Sequence, residues 1–104
     1  MIINETELIA TIRSIPDFPK EGILFRDITT LLKNADAYET LVEAIAEKLR
    51  PLDVDIVIGP EARGFVIGSA VAYAVHAGFV LARKPGKLPC EVNSVSYGLE
   101  YGSD

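Results

Sequence analysis

Apolar residues recur along the N-terminal half of the chain with helical spacing. Asn4 and Glu7, three apart, resemble a capping box, and Leu8, Ile12 and Ile15 then share one helical face until Pro16. This predicts a first helix over residues 5 to 15. The segment PDFPKEG is turn-rich, and ILFRDIT after it is β-branched and aromatic enough for a short strand or extended arm. Asp36 and Glu39 repeat the capping spacing, and Tyr38, Leu41, Val42, Ile45 and Leu49 form an apolar stripe that stops at Arg50 and Pro51. A second helix is expected there.

The pattern then changes. VDIVIG is a short, β-branched apolar run, the kind expected of a parallel strand covered on both faces. After the turn PEARG, the stretch FVIGSAVAYAVHAG is long enough for a helix and apolar nearly all round, with Gly78 placed as a closing C′ glycine. Such a helix should be deeply packed. GFVLA reads as a second buried strand, completing a right-handed strand, helix, strand crossover. Beyond RKPGKLP, Val92, Val95, Tyr97, Leu99 and Tyr101 alternate loosely with polar or small residues, which suggests a flexible hairpin. The fold class is α/β, a short parallel sheet with flanking helices.

With 104 residues, 49% of them hydrophobic, the chain can bury roughly 60–70% of its unfolded surface in one core. A single domain over residues 1–104 is expected. The formal charge of −5 argues against nucleic acid or a membrane surface as a general partner, because either would call for an excess of Lys and Arg. An anionic ligand must therefore meet a local basic patch. Cys90 is the only cysteine and His76 the only histidine, so no disulfide within the chain and no Cys/His metal cluster can form. A reducing, cytoplasmic setting is the simplest expectation. The start MIINETELIA lacks a basic segment followed by a long apolar one, and no apolar run approaches the about 20 residues that span a bilayer.

In an open α/β sheet, ligands gather beyond the carboxyl ends of the strands, where a helix start offers free N–H groups and partial positive charge to an anion. PEARG occupies that place. Arg63 adds a planar, permanently charged fork, and Gly59 and Gly64 let the backbone turn tightly. A surface ion pair between Arg63 and Glu61 is an equally good reading of the turn taken alone. Gly59 and Gly64 have the separation of a nucleotide-binding phosphate loop, but Phe65 stands where its Lys is required, which excludes that motif. The second strand runs into Arg83, Lys84, Pro85, Gly86 and Lys87. Two neighbouring strand ends that both deliver cations favour an anion of diphosphate size. No nucleophile motif is present: Ser69 lies within the apolar helix, and His76 is expected packed or at the helix end. Glu100, between Leu99 and Tyr101, is the carboxylate of interest, though an exposed strand glutamate is its ordinary reading.

Four stretches, PDFPKEGILFRDIT, PEARGF, RKPGKLP and YGLEYG, resemble in order and spacing the N-terminal part of the adenine phosphoribosyltransferase family, over essentially the whole chain. The resemblance implies a partial type I phosphoribosyltransferase fold and the reaction of adenine with phosphoribosyl pyrophosphate (PRPP) and Mg²⁺ to give AMP and pyrophosphate, in purine salvage, by a homodimer. It places Leu24, Phe25 and Arg26 in the adenine pocket, with an apolar side chain and a ring sandwiching the base. Glu61, Ala62 and Arg63 correspond to the pyrophosphate loop, whose first peptide is typically cis, and Arg83 and Lys87 line the same region. Residues from about 88 to 101 correspond to a hood that closes over the substrates and excludes water. Glu100 matches the acidic residue proposed to manage the purine proton, with Tyr101 beside it. The family's paired acidic residues and Thr/Gly-rich ribose-phosphate loop have no counterpart in these 104 residues, so a truncated phosphoribosyltransferase-like domain is expected. The rival expectation is a non-catalytic purine- or diphosphate-binding module, or a subunit that associates with a full-length partner.

Overall fold

A computed structural model describes residues 1–84, 86, 98–99 and 102–103. They belong to two compact units, residues 1–52 and 53–104.

In the first unit, α1 (Glu5–Ala10) begins at the expected capping box, with the Asn4 side chain accepting from the Glu7 N–H at 2.8 Å. It ends five residues earlier than its apolar spacing suggests. Arg13–Ile15 instead forms β1, antiparallel to β2 (Phe25–Asp27), with Arg13 opposite Asp27 and Ile15 opposite Phe25. Two effects outweigh the helical pattern: Pro16 disfavours helical backbone at Ile15, and the Arg13 guanidinium binds the Asp27 carboxylate across the strands. ILFRDIT is thus only partly a strand, since α2 (Thr29–Leu32) follows at once.

The long helix α3 (Ala35–Leu49) is capped by Asn34, whose side chain accepts from the Ala37 N–H at 3.1 Å, and not by Asp36. Asp36 and Glu39 instead hold the Met1 amine at 2.9 and 2.6 Å. The expected stripe is half-buried, while Ala37, Thr40 and Ala46 are the buried positions. Thr40 serves two segments, accepting from the Ile3 N–H at 2.8 Å and donating to the Asp36 carbonyl at 2.8 Å. That second bond is the usual way a mid-helix threonine satisfies its hydroxyl.

The second unit is a β–α–β arrangement. β3 (Ile56–Pro60) and β4 (Gly78–Ala82) pair in parallel from Ile56 opposite Gly78 to Pro60 opposite Ala82, and α4 (Arg63–Val75) packs on both. Two expectations require correction. The helix is closed by His76, in left-handed conformation at φ 60°, while Gly78 opens β4. The backbone turns one residue after Val75, leaving the glycine free to begin the strand. Nor are helix and strands deeply buried: only Val71 and Ala72 of α4 are buried, Tyr73 is 89% exposed, and Ile56 and Ile58 are exposed. Alternation along β3 turns Gly59 toward α4 and sends Ile56 and Ile58 to the other face, so one strand face carries the packing with the helix. In the tail, β5 (Gly98–Leu99) pairs antiparallel with β6 (Gly102–Ser103), in line with the expected hairpin.

Candidate functional site

The register of the parallel pair builds the site. Because Pro60 lies opposite Ala82, the two strands end level, and the residues leaving them, Glu61 and Arg83, emerge side by side. The Glu61 N–H continues the ladder by donating to the Ala82 carbonyl at 3.2 Å. Its carboxylate then reaches across the gap, accepting from the Lys84 backbone N–H at 2.5 Å and facing the Arg83 guanidinium at 3.6 Å. The Lys84 N–H holds the Glu61 carboxyl below the usual carboxylate range, assisted by the charges of Arg83 and Lys84 and opposed by burial. The guanidinium also lies over the Phe65 ring, 5.7 Å from its centroid. Arg83 is thus held from two sides.

The Glu61–Ala62 peptide is cis, as the family resemblance implies. Arg63 is the first residue of α4, and Ala62 gives that helix no side-chain cap. Close approach of α4 to β3 depends on glycine. A Cβ on Gly59 would lie 2.3 Å from the Gly64 carbonyl oxygen, one on Gly64 would lie 2.4 Å from Pro60 Cδ, and one on Gly68 would lie 2.6 Å from Phe79 Cε1. Phe79 stands edge-on to Phe65 with centroids 6.4 Å apart, so the ring beneath Arg83 is itself fixed by a ring from β4.

Leu24, Phe25 and Arg26 lie in the first unit, entering and forming β2. Leu24 is 51% exposed, a large apolar side chain open to solvent. Phe25 packs edge-on against Phe18 with centroids 5.1 Å apart, and Arg26 donates to Ser14 Oγ at 2.6 Å across the hairpin. The strand is anchored at its end by Asp27, only 6% exposed. This carboxylate accepts from the Thr29 hydroxyl at 2.7 Å and the Thr29 N–H at 2.9 Å and pairs with Arg13. Chiefly through the Thr29 hydroxyl, then the Thr29 N–H and Arg13, its pKa is lowered to about 2.

The adenine phosphoribosyltransferase of Pseudothermotoga lettingae is 55% identical over 92 residues, which are 88% of this chain and 54% of the relative. A crystal structure of the enzyme from Thermoanaerobacter pseudethanolicus superposes with a TM-score of 0.88 at 50% identity, covering 95% of this chain and 58% of that one. The chain matches the N-terminal part of adenine phosphoribosyltransferases. The adenine phosphoribosyltransferase of Saccharomyces cerevisiae, in complex with adenine and an imino-altritol bisphosphate, superposes with a TM-score of 0.86 at 39% identity, over 95% of this chain and 58% of that one. No family model matches the chain. The chain spans about half the length of the curated relatives it matches.

Of the residues singled out by the resemblance to adenine phosphoribosyltransferases, Glu61, Ala62, Arg63 and Arg83 fall together at the strand ends, and Leu24, Phe25 and Arg26 fall together on the hairpin. Lys87, Glu100 and Tyr101 lie outside the described residues. Two contributors were missed by inspection of the sequence. Phe65, used only to exclude a nucleotide-binding loop, is the platform beneath Arg83. The Lys84 contribution is a main-chain N–H, which no side-chain motif can announce.

Proposed function

We propose that the chain supplies the adenine- and pyrophosphate-handling part of an adenine phosphoribosyltransferase, acting in purine salvage in the cytoplasm. The observation that carries the proposal is the level ending of β3 and β4, which gathers Arg63, Arg83 and Lys84 around one turn in a chain 55% identical to such an enzyme over 92 residues. In the reaction, adenine forms a bond to C1 of the ribose as the bond from C1 to the pyrophosphate oxygen breaks, giving AMP and pyrophosphate. Arg63, Arg83 and Lys87 hold the departing pyrophosphate, since guanidinium forks match phosphate oxygens in pairs. Leu24, Phe25 and Arg26 receive adenine, a ligand with which the 39% identical yeast relative was crystallised. Glu100 manages the purine proton beside Tyr101, and the active form is a homodimer.

Mg²⁺ enters this reading with PRPP. Among the described residues no group of three or more His, Cys, Asp and Glu side chains could hold a metal ion, and a hard cation is well served by the diphosphate oxygens themselves. Likewise no helix among the described residues is long and apolar enough to cross a membrane.

The test is production of labelled AMP from radiolabelled adenine, PRPP and Mg²⁺ by the folded 104-residue chain. Turnover that falls sharply in Glu100→Gln, with pyrophosphate binding retained, supports the assignment. Saturable adenine and pyrophosphate binding without AMP would favour the binding-module reading.

A further inference from the structure

Glu61 poses a problem for an anion site. A carboxylate 3.6 Å from Arg83 repels an incoming diphosphate and occupies part of the guanidinium that should receive it. Simple charge arithmetic makes Glu61 a hindrance. Its second oxygen resolves the conflict, because it accepts from the main-chain N–H of Lys84 at 2.5 Å, 23 residues along the chain. The strand ladder stops with the Glu61 N–H donating to Ala82. Past that point, the Glu61 side chain carries hydrogen bonding one residue further, to the Lys84 N–H. Phe65 supports the same run from the helix side, beneath the guanidinium.

We propose that Glu61 is a positioning residue: its carboxylate clamps the Arg83–Lys84 segment against the PEARG turn, so that the cations from β4 are pre-set over the α4 N-terminus for a diphosphate. The inference rests on the pyrophosphate reading given above. Without the clamp, the segment must be ordered when the ligand binds, and affinity falls by the cost of that ordering. The clamp therefore predicts that losing the acceptor oxygen weakens anion binding even when a repulsive negative charge is lost with it.

Amide hydrogen exchange at Lys84, followed by NMR in the ligand-free chain, and calorimetric titration with sodium pyrophosphate read the two halves of the claim. Glu61→Ala should speed Lys84 exchange and weaken pyrophosphate binding, each by about ten-fold, the scale of one charge-assisted hydrogen bond. Glu61→Gln keeps an oxygen for the Lys84 N–H and should restore protection, with pyrophosphate affinity recovering to the wild-type level or beyond because the repulsive charge is gone. If Glu61→Ala does not fold, Glu61→Asp serves in its place: one methylene shorter, it keeps the charge, withdraws from Lys84 and should show the same two losses. Unchanged Lys84 exchange, or tighter pyrophosphate binding in the alanine variant, would overturn the clamp. No pyrophosphate binding by the wild-type chain would overturn the ligand reading instead, and with it the positioning role, while Lys84 exchange would still report whether the hydrogen bond holds.

Discussion

Replacing Gly59 with alanine should be among the most damaging single-methyl changes in this chain. The added Cβ would sit 2.3 Å from the Gly64 carbonyl oxygen and 2.8 Å from its carbon, as well as 2.6 Å from Phe79 Cζ. Real Cβ contacts essentially never fall below 3.0 Å, so β3 and the first turn of α4 must separate by at least 0.7 Å. Backbone on both sides resists this, and overpacking of this kind costs about 1–3 kcal/mol, with Gly59→Ala expected near the upper end. Gly68→Ala meets only the Phe79 ring, at 2.6 Å from Cε1, and a ring can tilt where a main-chain carbonyl cannot. Its cost should be about 1 kcal/mol. Urea denaturation followed by far-ultraviolet circular dichroism measures both, and a loss of 1 kcal/mol corresponds to a melting shift of roughly 4–8 °C in a domain of this size. A third change separates the causes. Adding Phe79→Leu should relieve Gly68→Ala, because it removes the atoms in the way, and leave Gly59→Ala destabilised relative to Phe79→Leu alone, because the Gly64 carbonyl remains. The reasoning fails if Gly59→Ala unfolds within about 0.5 kcal/mol of wild type, or if Phe79→Leu rescues both variants equally.

Asp27 should shape the acid limb of stability. Its folded pKa of about 2 lies below the usual value of about 3.9 for an unfolded aspartate. The unfolded chain therefore binds more protons between these values, and this stabilisation is present above about pH 4 and lost as pH falls through 2. Urea midpoints of Asp27→Asn should fall less steeply than wild type between pH 4 and pH 2, and parallel acid limbs would remove Asp27 as the cause. Thr40→Val keeps the shape of the side chain but leaves the Ile3 N–H without its acceptor. A loss of about 1 kcal/mol in urea unfolding is expected, with faster amide exchange at Ile3; unchanged exchange there would show that the hydroxyl does not hold the N-terminal segment.

The elements that could be read from the sequence are those in which local signals agree. Asn4 and Glu7 gave α1 its start, Pro51 follows the end of α3, and GFVLA coincides with β4. The errors fall where a distant residue overrules a local pattern. Arg13–Ile15 carries helical spacing, yet its conformation is set by Phe25–Asp27, ten to fourteen positions away, through strand pairing and the Arg13–Asp27 contact. The cap of α3 moved from Asp36 to Asn34, and Asp36 engages the Met1 amine instead. At the end of α4, spacing alone cannot distinguish His76 from Gly78 as the left-handed residue, because a glycine fits equally well at a helix end or a strand start.

The site illustrates the same division, and one alternative in its reading dissolves. From composition, the turn was either an anion site or an ion pair between neighbouring residues of opposite charge. The carboxylate of Glu61 does form an ion pair, but with Arg83 from the next strand, not as an alternative to the cationic cluster but as part of its frame. What sequence inspection lacked was the register. Convergence of two parallel strand ends follows from topology, but the pairing of Pro60 with Ala82 decides that residue 61 meets residues 83 and 84. A register shifted by two would keep every side chain on its face and would carry Glu61 away from the Lys84 N–H. The anion reading of PEARG therefore depends less on how many cations follow β4 than on the register that aligns the strand ends, and an insertion of two residues between Val75 and Gly78 that shifts this register should speed amide exchange at Lys84, read by NMR, while leaving Arg63 in place at the start of α4.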